Sequence, residues 1–362
     1  MTSTSRSLSV EDLAWQAARG GSLAPDGSLT EPVVTVDVTP DRAPVDVSVL
    51  HRAADRASAG DRLLVGVSRT PLPPGGFLDP LLDVLDLTLA PADDRDRRVI
   101  AVPDPEAEVE VLRSRICDHA QAAVVLAQLL RAGEADLTTH QALDVESFAY
   151  STLLGGADFA RWLALRGDRP APPPATADPV LARRAGDTLY LTLNRPERRN
   201  AYGRELRDAL VAALSVAELD RTVTSVVLDG AGPSFCSGGD LGEFGTTPDP
   251  ATAHLVRTRA GAARPLHALR DRTTVRVHGS CVGAGIELPA FASRIVADPD
   301  ALFRLPELDM GLIPGAGGTV SIPRRIGRWR TLYLFLSGSP LHADRACRWG
   351  LVDRLEPVDR PG

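Results

Sequence analysis

The sequence predicts an α/β chain in two lobes, each built on a mostly parallel sheet beneath helices. Strand-like and helix-like patterns alternate along the chain, the rhythm that builds parallel sheets. A proline-rich break, Arg169-Pro170-Ala171-Pro172-Pro173-Pro174-Ala175, interrupts that rhythm. The half before the break repeats, in reduced form, the rhythm of the half after it. With 362 residues, 44% of them hydrophobic, there is ample apolar material for a core and more than one lobe.

The elements follow in chain order. Val33-Val34-Thr35-Val36-Asp37-Val38 is rich in β-branched residues and reads as a strand, Val47 to Ala57 as a helix and Arg62 to Val67 as a second strand. Two long helical stretches come next, Glu106 to Arg131 and about His140 to Leu165. Beyond the prolines, Thr188 to Leu193 alternates as a strand does. Arg204 to Leu219 places Leu206, Leu210, Ala213, Leu214 and Ala217 at helical spacing. Val223 to Leu228 is a strand that ends at the Ser234–Gly239 turn. Val275 to Val277 and Arg294 to Ala297 are short strands on either side of a helix expected over Cys281–Ala292. The expected divisions are a smaller lobe over 1–168, a stiff linker over 169–178 and a second lobe over 179–362.

Composition excludes several classes. The formal net charge of −7 gives no reason to expect nucleic-acid or anionic-membrane partners. No stretch approaches the roughly 18 apolar residues that would span a bilayer, and Met1 to Gly21 lacks the apolar centre of a secretory signal. Cys117, Cys236, Cys281 and Cys347 form no CxxC pair, so neither a disulfide framework nor a zinc site is indicated. A reducing cytoplasm is the expected compartment.

Chemistry concentrates in the last third. Glu287 closes the run His278-Gly279-Ser280-Cys281-Val282-Gly283-Ala284-Gly285-Ile286-Glu287. Glu307 opens Pro306-Glu307-Leu308-Asp309-Met310-Gly311-Leu312-Ile313-Pro314-Gly315-Ala316-Gly317-Gly318-Thr319, and a third glycine stretch is Ser234-Phe235-Cys236-Ser237-Gly238-Gly239-Asp240-Leu241. Glycine lets a backbone approach a ligand and offer its N–H groups, and two carboxylates can move protons beside it. Gly315 to Thr319 is no phosphate loop, since it lacks the GK[ST] ending. His278 reads as a core histidine and Asp309 as structural, and no Ser-His-Asp arrangement has support.

These runs, together with Leu193-Asn194-Arg195-Pro196-Glu197-Arg198-Arg199-Asn200-Ala201, resemble the crotonase superfamily, the enoyl-CoA hydratase/isomerase family. Four motifs fall in the family's order over roughly residues 180–357. The resemblance implies a crotonase-type ββα superhelix. It departs from the family in one respect: the segment from Val99 to Gly167 looks like the family's C-terminal helical tail, placed ahead of the core. Either a degenerate first crotonase unit is fused to a truncated second one, which is the preferred reading, or the segments have been reordered. Both readings have those helices cover an apolar face of the core.

The resemblance assigns the oxyanion-binding amides to Gly239 and Ala284, with the dipole of the Cys281–Ala292 helix adding to the pull. It gives Glu287 the activation of water and Glu307 the proton at the α-carbon. The CoA thioester would be lined by Arg198, Ala201, Ser237, Gly239, Asp240, Leu241, Gly283 and Ala284. Gly315 lacks the aspartate that relatives resembling dienoyl-CoA isomerases, the chlorobenzoyl-CoA dehalogenase and naphthoate synthases carry nearby. The expected activity is hydration of a 2,3-enoyl-CoA or its reverse. Isomerisation, cofactor-free oxygenation of an arylacetyl-CoA and non-catalytic acyl-CoA binding are the alternatives. No metal or cofactor is expected beyond the coenzyme A of the substrate. A homo-oligomer, trimer-based or dimeric, is expected from the resemblance.

Overall fold

The computed structural model describes residues 7–16, 23–40, 45–91, 94–133, 137–171 and 173–358. The chain divides into two compact units. One comprises residues 1–131 with 326–337; the other comprises 132–325 with 338–362. The expected boundary at 168 therefore differs from the observed division.

In the first unit, four parallel strands lie in sequence order: Val33–Asp37, Leu63–Val67, Leu87–Ala90 and Val99–Ala101. All five residues of Leu63–Val67 are buried, as an apolar run covered on both faces must be. Helix Val47–Ser58 turns Leu50, Ala53, Ala54 and Ala57 inward, and the Asp46 side chain caps it by accepting from Ser48 N. The expected helix over 106–131 is two helices, Pro105–Asp118 and Ala120–Ala132, broken at His119, whose backbone leaves the helical region. The stretch 326–337 completes this unit. Trp329 Nε1 donates to Leu85 O at 3.0 Å, and Tyr333 Oη donates to Glu108 Oε1 at 2.9 Å. Gly327, at φ +83°, makes the kink that separates 326–337 from the preceding part of helix Gly318–Ser337.

The second unit carries two sheets. The larger runs in the order Arg354–Leu355, Arg294–Ala297, Thr273–Val277, Ser225–Gly230, Thr188–Leu193 and Val180–Ala185, parallel except for the last hairpin. The smaller holds Leu341–His342, Leu302–Arg304 and Ser280–Val282, the last two parallel. Helix Arg204–Leu219 forms where its leucine stripe predicts and buries Leu206, Leu210, Leu214 and Ala217.

One expectation changes here. The helix expected over 281–292 is a strand, Ser280–Val282, then one α-turn, Ala284–Glu287, then a 3₁₀ turn, Pro289–Phe291. One turn carries little macrodipole, so helix polarity adds little at Ala284. The segment 169–178, expected as a stiff linker, is hydrogen-bonded to its surroundings, apart from Pro172, which lies outside the described residues. Ala175 N donates to Glu205 Oε2 at 3.0 Å, and Arg195 Nη2 donates to Pro173 O at 3.1 Å.

The second unit also contains the second of the two helical stretches expected in the first lobe. They are Thr139–Leu154 and Ala157–Arg166, separated at Gly155-Gly156 rather than continuous. The first begins with a capping box formed by Thr138 and Gln141.

Candidate active site

A backbone ladder brings the glycine runs together. Phe235 N donates to His278 O at 3.0 Å and Val282 N to Cys236 O at 3.0 Å, so the first glycine loop runs alongside the second. Gly283 N donates to Arg304 O at 3.0 Å, tying the second loop to the strand that leads to Glu307. The approach leaves no room for a side chain at Gly285, where a Cβ would lie 2.4 Å from Cys236 O. Asn200, fully buried and at φ +52°, anchors the entry. Its Oδ1 accepts from Arg195 N at 2.8 Å, and its Nδ2 donates to Ala231 O and Ser234 O at 2.9 and 3.0 Å.

Gly239, Ala284, Glu287 and Glu307 all line one cavity of about 240 Å³ in the second unit. Among the described residues, neither the Gly239 nor the Ala284 amide has a protein acceptor. Gly283, at φ +49°, sits beside the carboxyl pair. A Cβ there would meet Glu307 Oε1 at 2.7 Å and Glu287 Oε1 at 3.8 Å.

The two glutamates are held differently. Glu287 Oε2 accepts from Ala316 N at 2.7 Å and Gly318 N at 2.9 Å. Burial, then the neighbouring Glu307 and Glu146, push its carboxyl well above the ordinary value, against those amide bonds. Glu307 Oε2 is buried with no hydrogen-bond partner. Burial pushes its carboxyl up to about 8. The two amide donors at Glu287 oppose that rise without cancelling it, and at Glu307 the bare Oε2 favours the neutral acid. The site thus offers two unused amides, one carboxyl held by two backbone N–H donors and a second with a bare oxygen, around one hollow.

A third carboxyl, Glu146, was missed in the sequence. It reaches the site from helix Thr139–Leu154. Its Oε1 accepts from Gly317 N at 2.8 Å; its Oε2 accepts from Thr319 N at 2.9 Å and Thr319 Oγ1 at 2.7 Å. The four successive amides of residues 316–319 thus alternate between Glu287 and Glu146. Burial pushes Glu146 up to about 7, opposed by those bonds. The available signal was its position, three residues after Leu143 on the buried stripe of a helix.

Tyr150, one turn further, explains why residue 315 is glycine. A Cβ there would lie 2.4 Å from two ring carbons of Tyr150. Gly315→Ala is expected to lower stability by about 1–3 kcal/mol through overpacking. Thermal unfolding of the single and Tyr150→Leu double variants checks this, with the double expected to recover most of the loss.

The other assigned residues line a neighbouring cleft. Arg198, Ala201, Ser237, Asp240 and Leu241 border it, and Gly239 and Asp240 border both cavities. Arg198 is committed to Asp240 by a bidentate ion pair at 2.7–3.0 Å. Arg169 and Arg199 also border the cleft, and neither has a side-chain partner among the described residues. His278 is fully buried, with Nε2 2.9 Å from Gly232 O, and lines neither cavity. Among the described residues, no group of three His, Cys, Asp or Glu could hold a metal ion, and no helix is long and apolar enough to cross a membrane.

Residues 184–360 match the family model for enoyl-CoA hydratase/isomerase. The 2,3-dehydroadipyl-CoA hydratase of Escherichia coli is 35% identical over 180 residues, half of this chain and 70% of that protein. The 1,2-epoxyphenylacetyl-CoA isomerase of the same organism is 34% identical over 177 residues, covering 48% and 68%. A solved enoyl-CoA hydratase from Thermoplasma volcanium is 32% identical, with a TM-score of 0.47, covering 50% of this chain and 73% of that one. The chain belongs to the enoyl-CoA hydratase/isomerase family, and its core is a crotonase-type α/β fold. The matched segment excludes helices Thr139–Leu154 and Ala157–Arg166, so Glu146 and Tyr150 enter the cavity from outside it.

Proposed function

We propose that the chain hydrates a 2,3-enoyl-CoA, or runs the reverse dehydration. The observation that carries this reading is the pairing of Glu287 and Glu307 in one cavity with the unused amides of Gly239 and Ala284. The thioester oxygen would accept from both amides, each worth roughly 3–4 kcal/mol as the oxygen becomes anionic. Glu287, through the oxygen not taken by Ala316 and Gly318, would accept a proton from water as that water attacks the β-carbon. Glu307 would deliver its proton to the α-carbon. The enzyme then holds its proton on the other glutamate, and exchange with solvent restores the starting state. The neighbouring cleft would take the CoA moiety, with Arg169 and Arg199 as its open cations, while Arg198 holds Asp240 in place.

The relatives include an isomerase as well as hydratases, so the test must separate the two reactions. Wild type is expected to consume crotonyl-CoA, read as loss of the conjugated thioester absorbance. Glu287→Gln is expected to reduce that rate by about 10²–10⁴-fold. No hydration by wild type, with a 3-enoyl double bond moved and Glu287→Gln still active, would replace hydration by isomerisation. Tight binding of acyl-CoA in calorimetry without turnover of any enoyl-CoA would make the chain a binding protein.

A further inference from the structure

Arg257 is a guanidinium without a carboxylate. It stands on helix Pro250–Ala260 and lines the main cavity. Its Nε donates to Ser147 Oγ at 3.1 Å, and its Nη2 donates to Ser147 O at 3.1 Å and to the Ser151 hydroxyl. Its Cζ lies 4.4 Å from the centre of the Tyr150 ring. Every one of these acceptors is neutral. Among the described residues, Nη1 has no acceptor, and no carboxylate comes within ion-pair reach of Arg257.

The other arginines of this cavity are disposed differently. Arg264 pairs with Asp144 at 2.6 Å and Arg207 with Asp208 at 2.7 Å. Arg204 is exposed. The nearby Glu146 acts on Arg257 through space but forms no ion pair with it, and both its oxygens are committed to Gly317 and Thr319. Burying a guanidinium is costly unless an opposite charge accompanies it. A charge that arrives with the substrate meets that need.

The intervening wall suits a hydrocarbon segment. Leu143, Leu154, Phe159 and Ile313 line the same cavity as the glutamates and Arg257. The Tyr150 hydroxyl, which has no acceptor among the described residues, is a further donor beside the guanidinium. One unpaired guanidinium matches the single charge of a carboxylate; a phosphate's second charge would find no second unpaired, half-buried cation in this cavity.

Building on the hydratase reading, we propose that the preferred acyl group ends in a carboxylate, bound by Nη1 of Arg257 with the Tyr150 hydroxyl beside it. The substrate class is then a 2-enedioyl-CoA monothioester. Arg257 sets specificity and takes no part in moving protons.

The test compares trans-2-enoyl-CoA thioesters of five to eight carbons bearing a terminal carboxylate with methyl-ended thioesters of equal length. At one or more lengths, wild type is expected to show at least about 30-fold higher kcat/KM for the carboxylate, chiefly through KM. Arg257→Met should bring that ratio near one, and Arg257→Lys should keep part of it, with thermal unfolding reporting whether each variant folds. Methyl-ended substrates equal to or better than carboxylates at every length would overturn the proposal while leaving hydration intact. So would an unchanged ratio in folded Arg257→Met. If Arg257→Met does not fold, the wild-type ratio alone decides. Turnover of neither series would remove the hydratase reading and this inference with it.

Discussion

Glu307→Gln is expected to lower kcat for crotonyl-CoA hydration by about 10³-fold with little change in KM, because it deletes a proton donor rather than a binding contact. The same substitution is expected to stabilise the protein at pH 8. In the folded chain Glu307 holds its proton up to about pH 8, against an ordinary carboxyl value of 4.5. Between those values the native state binds more protons than the unfolded state, so stability falls as pH rises through the window. The stability contributed by the raised carboxyl is fully present below 4.5 and lost by about 8. Glutamine needs no proton and escapes the loss. Because the carboxyl opens partly onto the cavity, the gain at pH 8 is set at about 2 kcal/mol, or about 4–8 °C in Tm.

The pH dependence of activity follows from the same groups. Above about pH 8 the acid at Glu307 is spent, and kcat/KM for hydration is expected to fall. A wild-type rate that holds to pH 9.5, or a Glu307→Gln variant less stable than wild type at pH 8, would contradict the protonated state assigned to Glu307.

Glu146→Ala is expected to cost about 3–5 kcal/mol, the largest stability loss of any single change at the site. The substitution strips acceptors from the Gly317 and Thr319 amides and the Thr319 hydroxyl, all buried, and each orphaned donor costs about 1–3 kcal/mol. With about 2–4 °C per kcal/mol for a unit of this size, Tm should drop by about 6–20 °C. Activity should fall as well, because the amides that hold Glu287 alternate along the chain with those that hold Glu146. Glu146→Gln keeps one acceptor and should lose less than half as much. If Glu146→Ala unfolds within 2 °C of wild type, the alternating clamp does not hold the loop.

Much of the fold was legible because its elements are locally encoded. Helix Arg204–Leu219 and strand Thr188–Leu193 appear where the apolar spacing put them. The errors have local causes of another kind. The helix expected over 281–292 contains enough apolar residues for either structure, and pairing of Ser280–Val282 with Leu302–Arg304 decides for a strand. The helical stretches on both sides of residue 135 are broken at His119 and at Gly155-Gly156, where caps and backbone angles decide the ends. The first unit's sheet is parallel throughout, whereas the second unit's main sheet ends in the antiparallel hairpin of Val180–Ala185 and Thr188–Leu193.

By itself, the order of glycine runs and acids determined the family and named Gly239, Ala284, Glu287 and Glu307, since such motifs are contiguous and their chemistry is carried by residue type. Only the tertiary structure decided that Glu146, Tyr150 and Arg257 share the cavity with them. Those residues lie up to about 160 positions from the acids that share the cavity with them, and their side chains come together only when a helix face is turned toward one particular loop. Periodicity tells which face is buried; it carries no information about what lies opposite.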